Sequence, residues 1–132
     1  MCEERKTFSL KDRLRSVRYA LRGINFLIRT QHNAWFHVAA SFLVCLVGLY
    51  FELARFEWCW LACAITAVWF SEAVNTALEI LSDVVCPHHD VQIGKAKDVA
   101  AGAVLICAMG AVVIGALIFW PHVKPLLGHF CA

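Results

Sequence analysis

A chain of 132 residues that is 61% hydrophobic and only 17% charged falls short of the roughly 25% charge that a soluble globular domain carries. Its mean hydropathy of +0.66 marks an integral membrane protein, too short for more than one domain. A net charge of +2 leaves no basic footprint that would call for a nucleic-acid partner.

Residues 8–30 form the first unit. Leu10, Leu14, Val17, Leu21, Ile24 and Leu27 (or Ile28) recur at helical spacing, while Lys11, Arg13, Arg15, Arg18, Arg22 and Arg29 fill much of the remainder. This pattern predicts a basic amphipathic helix lying in the membrane interface and drawn to anionic lipid. It can serve as a topology anchor, contribute to a phosphate site, or do both. The segment lacks the short charged start and apolar core of a signal peptide, so the first apolar span is expected to act as its own insertion signal.

Three apolar spans are expected next, over residues 34–51, 58–81 and 99–120. Glu52, Arg55 and Glu57 mark a short turn between the first two. A polar stretch from Ser82 to Asp98, with Pro87, Gly94 and a Lys-Ala-Lys-Asp run, separates the second from the third. Pro121 is expected to end the third span, within which Ala111 and Gly115 make a small-xxx-small pair suited to close helix approach. Eight Lys and Arg residues lie in the first 30 positions and two in the Ser82–Asp98 stretch, against Arg55 and Lys124 on the other side. The N-terminus and the polar stretch are therefore expected to face the cytoplasm.

Seven cysteines are scattered without a Cys-x-x-Cys pair, which argues against a zinc site or a disulfide framework. Cys86, His88, His89 and Asp90 make a local cluster of potential ligands. They are too close together to surround an ion without a distant partner, so a plain loop is the simpler reading.

The chemistry concentrates in Glu72, Asn75, Glu79 and Asp83. Spacings of three, four and four residues put all four on one helical stripe inside apolar surroundings, where acidic groups are costly and usually retained for a task. Glu72 and Glu79 are separated by about 10 Å of helical rise, too far to chelate one ion together. One can hold a metal while the other acts as a base on a bound hydroxyl. Lys97 suits a phosphate, and Asp98 can orient it; the plainer roles are a positive-inside marker and the N-cap of the third span. Neither a Walker-type run nor a kinase-type glycine loop occurs, so any phosphoryl transfer must use another architecture.

The run Glu72-Ala-Val-Asn75-Thr76-Ala77-Leu78-Glu79 with Asp83, followed by Gly94-Lys95-Ala96-Lys97-Asp98-Val99-Ala100-Ala101-Gly102-Ala103-Val104, resembles the small prokaryotic diacylglycerol kinases, a family that includes undecaprenol kinases. Arg22-Gly23-Ile24 and Thr30-Gln31-His32-Asn33 fit the same pattern, and the resemblance covers about residues 8–121. It implies an all-α homotrimer of three-span chains with a surface helix, sited in the bacterial inner membrane, with active sites shared between neighbours. It implies phosphorylation of a lipid hydroxyl, that of diacylglycerol or undecaprenol, by Mg²⁺-ATP.

Carried over by position, Glu72 would be the general base and Asn75 would arrange the site. Glu79 would hold the metal, Lys97 would neutralise phosphate, and Asp98 would belong to the nucleotide site. Tyr19, His88, His89 and Asp90 would contact ATP, while Arg13 and Ala101 would contact the lipid. Two positions depart from the family pattern. Gln31 stands where a second metal-binding Glu is usual, and the substrate-side Arg aligns with Asp12, leaving Arg13 to take its place after a shift of register. A non-enzymatic or catalytically degenerate membrane protein is the alternative that Gln31 raises. The pattern ending Phe119-Trp120-Pro121 leans toward the undecaprenol branch.

Overall fold

The computed structural model describes residues 9–130, and within them the chain is built from four helices: α1 (Leu10–Thr30), α2 (His32–Tyr50), α3 (Arg55–Val85) and α4 (Val91–Phe130). Phe8, the first residue of the expected surface helix, lies outside the described residues, as do Cys2 and Cys131. Helices α2, α3 and most of α4 (Val91–Pro125) are long and apolar enough to cross a membrane.

Helix α1 starts at Ser9, whose Oγ accepts the Asp12 backbone N–H at 3.4 Å. Its apolar residues Leu10, Leu14, Val17, Leu21 and Ile24 are all exposed, which is the state expected of a helix whose apolar face is covered by lipid. Only Leu27 is buried, near the junction with α2. That junction is a single extended residue, Gln31: its N–H donates to Leu27 O at 3.0 Å, and its carbonyl accepts from Ala34 N at 3.2 Å. One residue thus closes α1 and opens α2.

The turn between α2 and α3 spans Phe51–Ala54. Glu52 occupies a left-handed backbone conformation with φ of 51°. Glu57 reaches back so that its Oε2 accepts the Ala54 N–H at 2.8 Å, satisfying a donor that the helix start leaves free. A Cβ added at Gly48 would lie 2.9 Å from Trp58 Cη2 and 3.0 Å from Leu53 Cδ1, so glycine is what lets α2 approach this turn. Gly48→Ala is expected to cost about 1–3 kcal/mol through overpacking and to lower the thermal midpoint in detergent without altering catalysis. An unchanged midpoint would show that the Trp58 ring gives way freely.

The most extensive helix pairing is α3 with α4. The small core near the Phe51–Ala54 turn joins Leu53, Leu61 and Ile118, backed by Ile65, Ile114 and Phe119. Most other large apolar side chains, among them Phe36, Phe42, Ile106, Val112 and Leu117, point outward. The five cysteines among the described residues are free.

The structure corrects three expectations. The Ser82–Asp98 stretch, expected to separate the second span from the third, is mostly helical: α3 runs on to Val85 and α4 begins at Val91, leaving residues 86–90 between them. The cap of α4 is Asp90, whose Oδ1 accepts from Gln92 N at 2.8 Å and Ile93 N at 3.0 Å. Asp98 lies about two turns inside the helix and caps nothing. Hydropathy marks where a helix meets lipid, not where its hydrogen bonds start. Finally, Pro121 does not end α4; it and Pro125 are both inside the helix. A proline removes one N–H, but in an apolar span the neighbouring backbone groups have no partner better than helix, so the helix continues. His122 Nδ1 approaches Ile118 O at 3.0 Å just past this interruption.

Candidate active site

The stripe on α3 is a gradient of exposure. Glu72 and Asn75 are buried, at 1% and 7% relative exposure, Glu79 is half-buried, and Asp83 is exposed. Glu72, Asn75 and Glu79 line one cleft of about 430 Å³ together with Asn33, Phe36 and His37 from α2 and Ala101, Val104, Leu105 and Ala108 from α4. All the polar groups of the cleft come from α2 and α3; α4 supplies an apolar wall. Ala101, expected to contact the lipid, is on that wall.

Within the cleft, Asn75 Nδ2 donates to Glu79 Oε1 at 2.9 Å, fixing the carboxylate one turn away. Glu72 Oε2, Asn75 Oδ1 and Thr76 Oγ1 are buried with no hydrogen-bond partner among the described residues. Buried polar groups are nearly always satisfied, and each exception calls for an explanation. For Glu72 and Asn75 the cleft provides one, because a ligand there would supply the missing partners. Thr76 lies outside the cleft and lines a hollow of about 330 Å³ beneath α1, formed with Gly23, Ile24, Leu27 and Ile80.

The remaining candidates stand apart from the cleft. Lys97 Nζ donates to Asp83 Oδ1, joining α3 to α4 at the exposed end of the stripe, and Asp98, next in sequence, is exposed. Tyr19 is exposed on α1 with the Arg22 guanidinium 5.9 Å from its ring centre. Arg13 is on the same helix, and Gln31 is half-buried at the α1–α2 junction. His88 and His89 are exposed in the loop whose last residue, Asp90, caps α4.

Among the described residues no group of three or more His, Cys, Asp or Glu gathers to hold a metal. Mg²⁺ needs no such cage, since it is commonly bound by one or two carboxylates and completed by substrate phosphates and water. Glu79 fits that part, with Oε1 anchored by Asn75 and its other oxygen bonded to none of the described residues.

Sequence reasoning gave no role to two polar cleft residues, Asn33 and His37. His37 Nε2 is 3.8 Å from Glu72 Oε2, and its ring meets Trp69 edge-on at 6.2 Å. Trp69 Nε1–H in turn donates to Ser41 Oγ at 3.2 Å. A signal was available: His37 is an ionisable residue inside an apolar span, four positions after Asn33 and four before Ser41, on one face of α2.

Comparison with known proteins completes the picture. The family model described as prokaryotic diacylglycerol kinase matches residues 18–119, a range that includes the whole cleft together with Tyr19, Gln31, Lys97 and Asp98. The undecaprenol kinase of Bacillus subtilis is 38% identical over 107 residues, covering 81% of this chain and 87% of that one. A diacylglycerol kinase of Synechocystis is 33% identical over 113 residues, covering 85% of this chain and 65% of that one. With an all-helical fold, three membrane-length helices and this match over most of its length, the chain belongs to the prokaryotic diacylglycerol kinase family and is a membrane lipid kinase.

Proposed function

We propose that the chain transfers the γ-phosphoryl group of ATP to the terminal hydroxyl of a polyprenol of the undecaprenol class, with Glu72 as general base. The observation that carries this reading is the buried, unpartnered Glu72 carboxyl on a cleft shared with Asn75 and Glu79. Glu72 takes the hydroxyl proton as the acceptor oxygen attacks the γ-phosphorus, and the bond to the ADP oxygen breaks. Asn75 holds the Glu79 carboxylate, and Glu79 holds the divalent cation that accompanies the triphosphate. That cation, when bound, neutralises charge on the transferring group. Lys97 and Asp98 serve the phosphates and nucleotide, with Tyr19, His88, His89 and Asp90 as further nucleotide contacts. Arg13 and Ala101 serve the lipid.

Several of these residues do not line the cleft of their own chain. A homotrimer in which a neighbouring subunit completes each site accounts for that separation, and the many outward apolar side chains would support it. The N-terminus and the loop at residues 86–90 are placed on the cytoplasmic side, where ATP is, because ten of the twelve Lys and Arg residues lie at that end.

For the acceptor, support comes from the higher identity and fuller coverage shared with the relative named undecaprenol kinase. Transfer of radiolabelled phosphate to a polyprenol and to diacylglycerol, measured side by side at several Mg²⁺ concentrations, tests the choice. Faster transfer to diacylglycerol at every Mg²⁺ level would reverse it. In the same assay Gln31→Glu is expected to lower the Mg²⁺ concentration needed for half-maximal rate, since a carboxylate adds charge where the amide has none. An unchanged or higher requirement would mean that residue 31 is no ligand.

A further inference from the structure

His37 has no part in the roles assigned above, yet this α2 side chain reaches to within an ion-pair distance of the base. Its Nε2 lies 3.8 Å from Glu72 Oε2, which is about 0.9 Å beyond an ordinary hydrogen bond. Both side chains are largely withdrawn from solvent, at 18% and 2% exposure. The Glu72 oxygen has no hydrogen-bond partner among the described residues.

The other groups around the cleft do not take this position. Asn75 commits an amide N–H to Glu79, and Glu79 carries the same charge type as Glu72. Helix α4 presents only Ala101, Val104, Leu105 and Ala108, and no residue of α1 lines the cleft. Of the polar α2 side chains lining the cleft, Asn33 is exposed, whereas His37 is half-buried and lies against Glu72.

The ring is also held. Its edge-on contact with Trp69 is fixed by the Trp69–Ser41 hydrogen bond, and Ser41 is one turn along α2 from His37 itself. Trp69 of α3, itself tied to Ser41 of α2, thus braces the imidazole along one edge. His37 further lines the apolar cavity of about 390 Å³ that runs between α2, α3 and α4 beside the cleft, bordered by Val44, Val68, Ala111 and Gly115. It stands where polar cleft gives way to apolar cavity, the depth at which a lipid alcohol's hydroxyl meets its hydrocarbon.

We infer that His37 is a positioning residue: its ring N–H donates to Glu72 Oε2 and turns the other carboxyl oxygen toward the acceptor hydroxyl. The inference rests on Glu72 being the base. The orientation of a carboxyl group relative to the proton it removes is a matter of about 1 Å, and a misplacement of that size can cost about 10² in rate.

The test uses the full chain reconstituted in lipid nanodiscs, with kcat and the KM values for MgATP and polyprenol measured separately. His37→Leu and His37→Phe fill the space without a donor and are expected to lower kcat about 100-fold, with both KM values within about twofold of the parent. His37→Gln offers an amide N–H at similar reach and is expected to recover at least a tenth of the parent kcat. A Gln variant no better than Leu, a loss confined to the lipid KM, or failure of both Leu and Phe variants to fold would overturn the inference. Glu72→Gln is measured alongside. Its retained activity would sink the base assignment itself, whereas an inactive Glu72→Gln beside a fully active His37→Leu would sink the role of His37 alone.

Discussion

Glu72→Gln is expected to give a folded protein that still binds MgATP and no longer turns over. The amide keeps the shape of the carboxyl group and its place in the cleft, but it cannot accept the hydroxyl proton. General-base catalysis contributes about 10²–10⁴ to rate, and the variant should lose most of it. Stability should move the other way, if at all. Glu72 buries a carboxyl oxygen with no hydrogen bond, and a neutral amide is cheaper to hold in that state. A melting midpoint equal to or above the parent's, together with absent phosphate transfer, is the signature of a group kept for chemistry at the expense of the fold. Near-normal turnover would remove Glu72 from the base role, and a collapsed fold would recast it as structural.

Glu79→Gln should strike the nucleotide side of the same cleft. It removes a carboxylate where the cation must be held, and loss of one electrostatic stabiliser of a transition state commonly costs about 10²–10³ in kcat. Part of that loss should be recoverable at high Mg²⁺, which Glu72→Gln should not show. Asn75 provides the cross-check. Its amide N–H fixes Glu79 Oε1 at 2.9 Å, so Asn75→Ala acts through the same carboxylate. The double variant should therefore be less impaired than the product of the single effects, because the two residues form one unit. Strict multiplicativity in a titration of rate against Mg²⁺ would show that Asn75 works independently of Glu79.

The acidic stripe was legible because three- and four-residue spacing is a property of one helix, and one helix is what sequence periodicity reports best. Its gradient of burial was partly implicit in position, since Asp83 lies one turn beyond Glu79 toward the polar stretch. Helix ends were less legible. Residues 91–98 belong to the polar stretch between the expected spans, yet Asp90 caps them into helix well before α4 becomes continuously apolar. Pro121 misled for the complementary reason: its penalty is local, and the rest of an apolar helix outweighs it. The relation of His37 to Glu72 could not be read at all. It joins positions 35 residues apart on different helices, and nothing in either local pattern points to the other. The hydrogen bond from Trp69 to Ser41, 28 residues apart, was hidden in the same way.

The graded exposure of the α3 stripe has a consequence for traffic through the enzyme. From Glu72 to Asp83 the helix rises about 16 Å, passing from an enclosed carboxyl to one in open contact with the surroundings. On the proposed assignment of roles, a molecule approaching from the oily side and one approaching from the aqueous side would each stop at its own level of the same helix. Neither would have to be carried into the other's solvent: the greasy reactant would not be lifted out, and the highly charged one would not be dragged in. The helix would act as a ladder between two immiscible phases, with only the reacting atoms travelling the last rung.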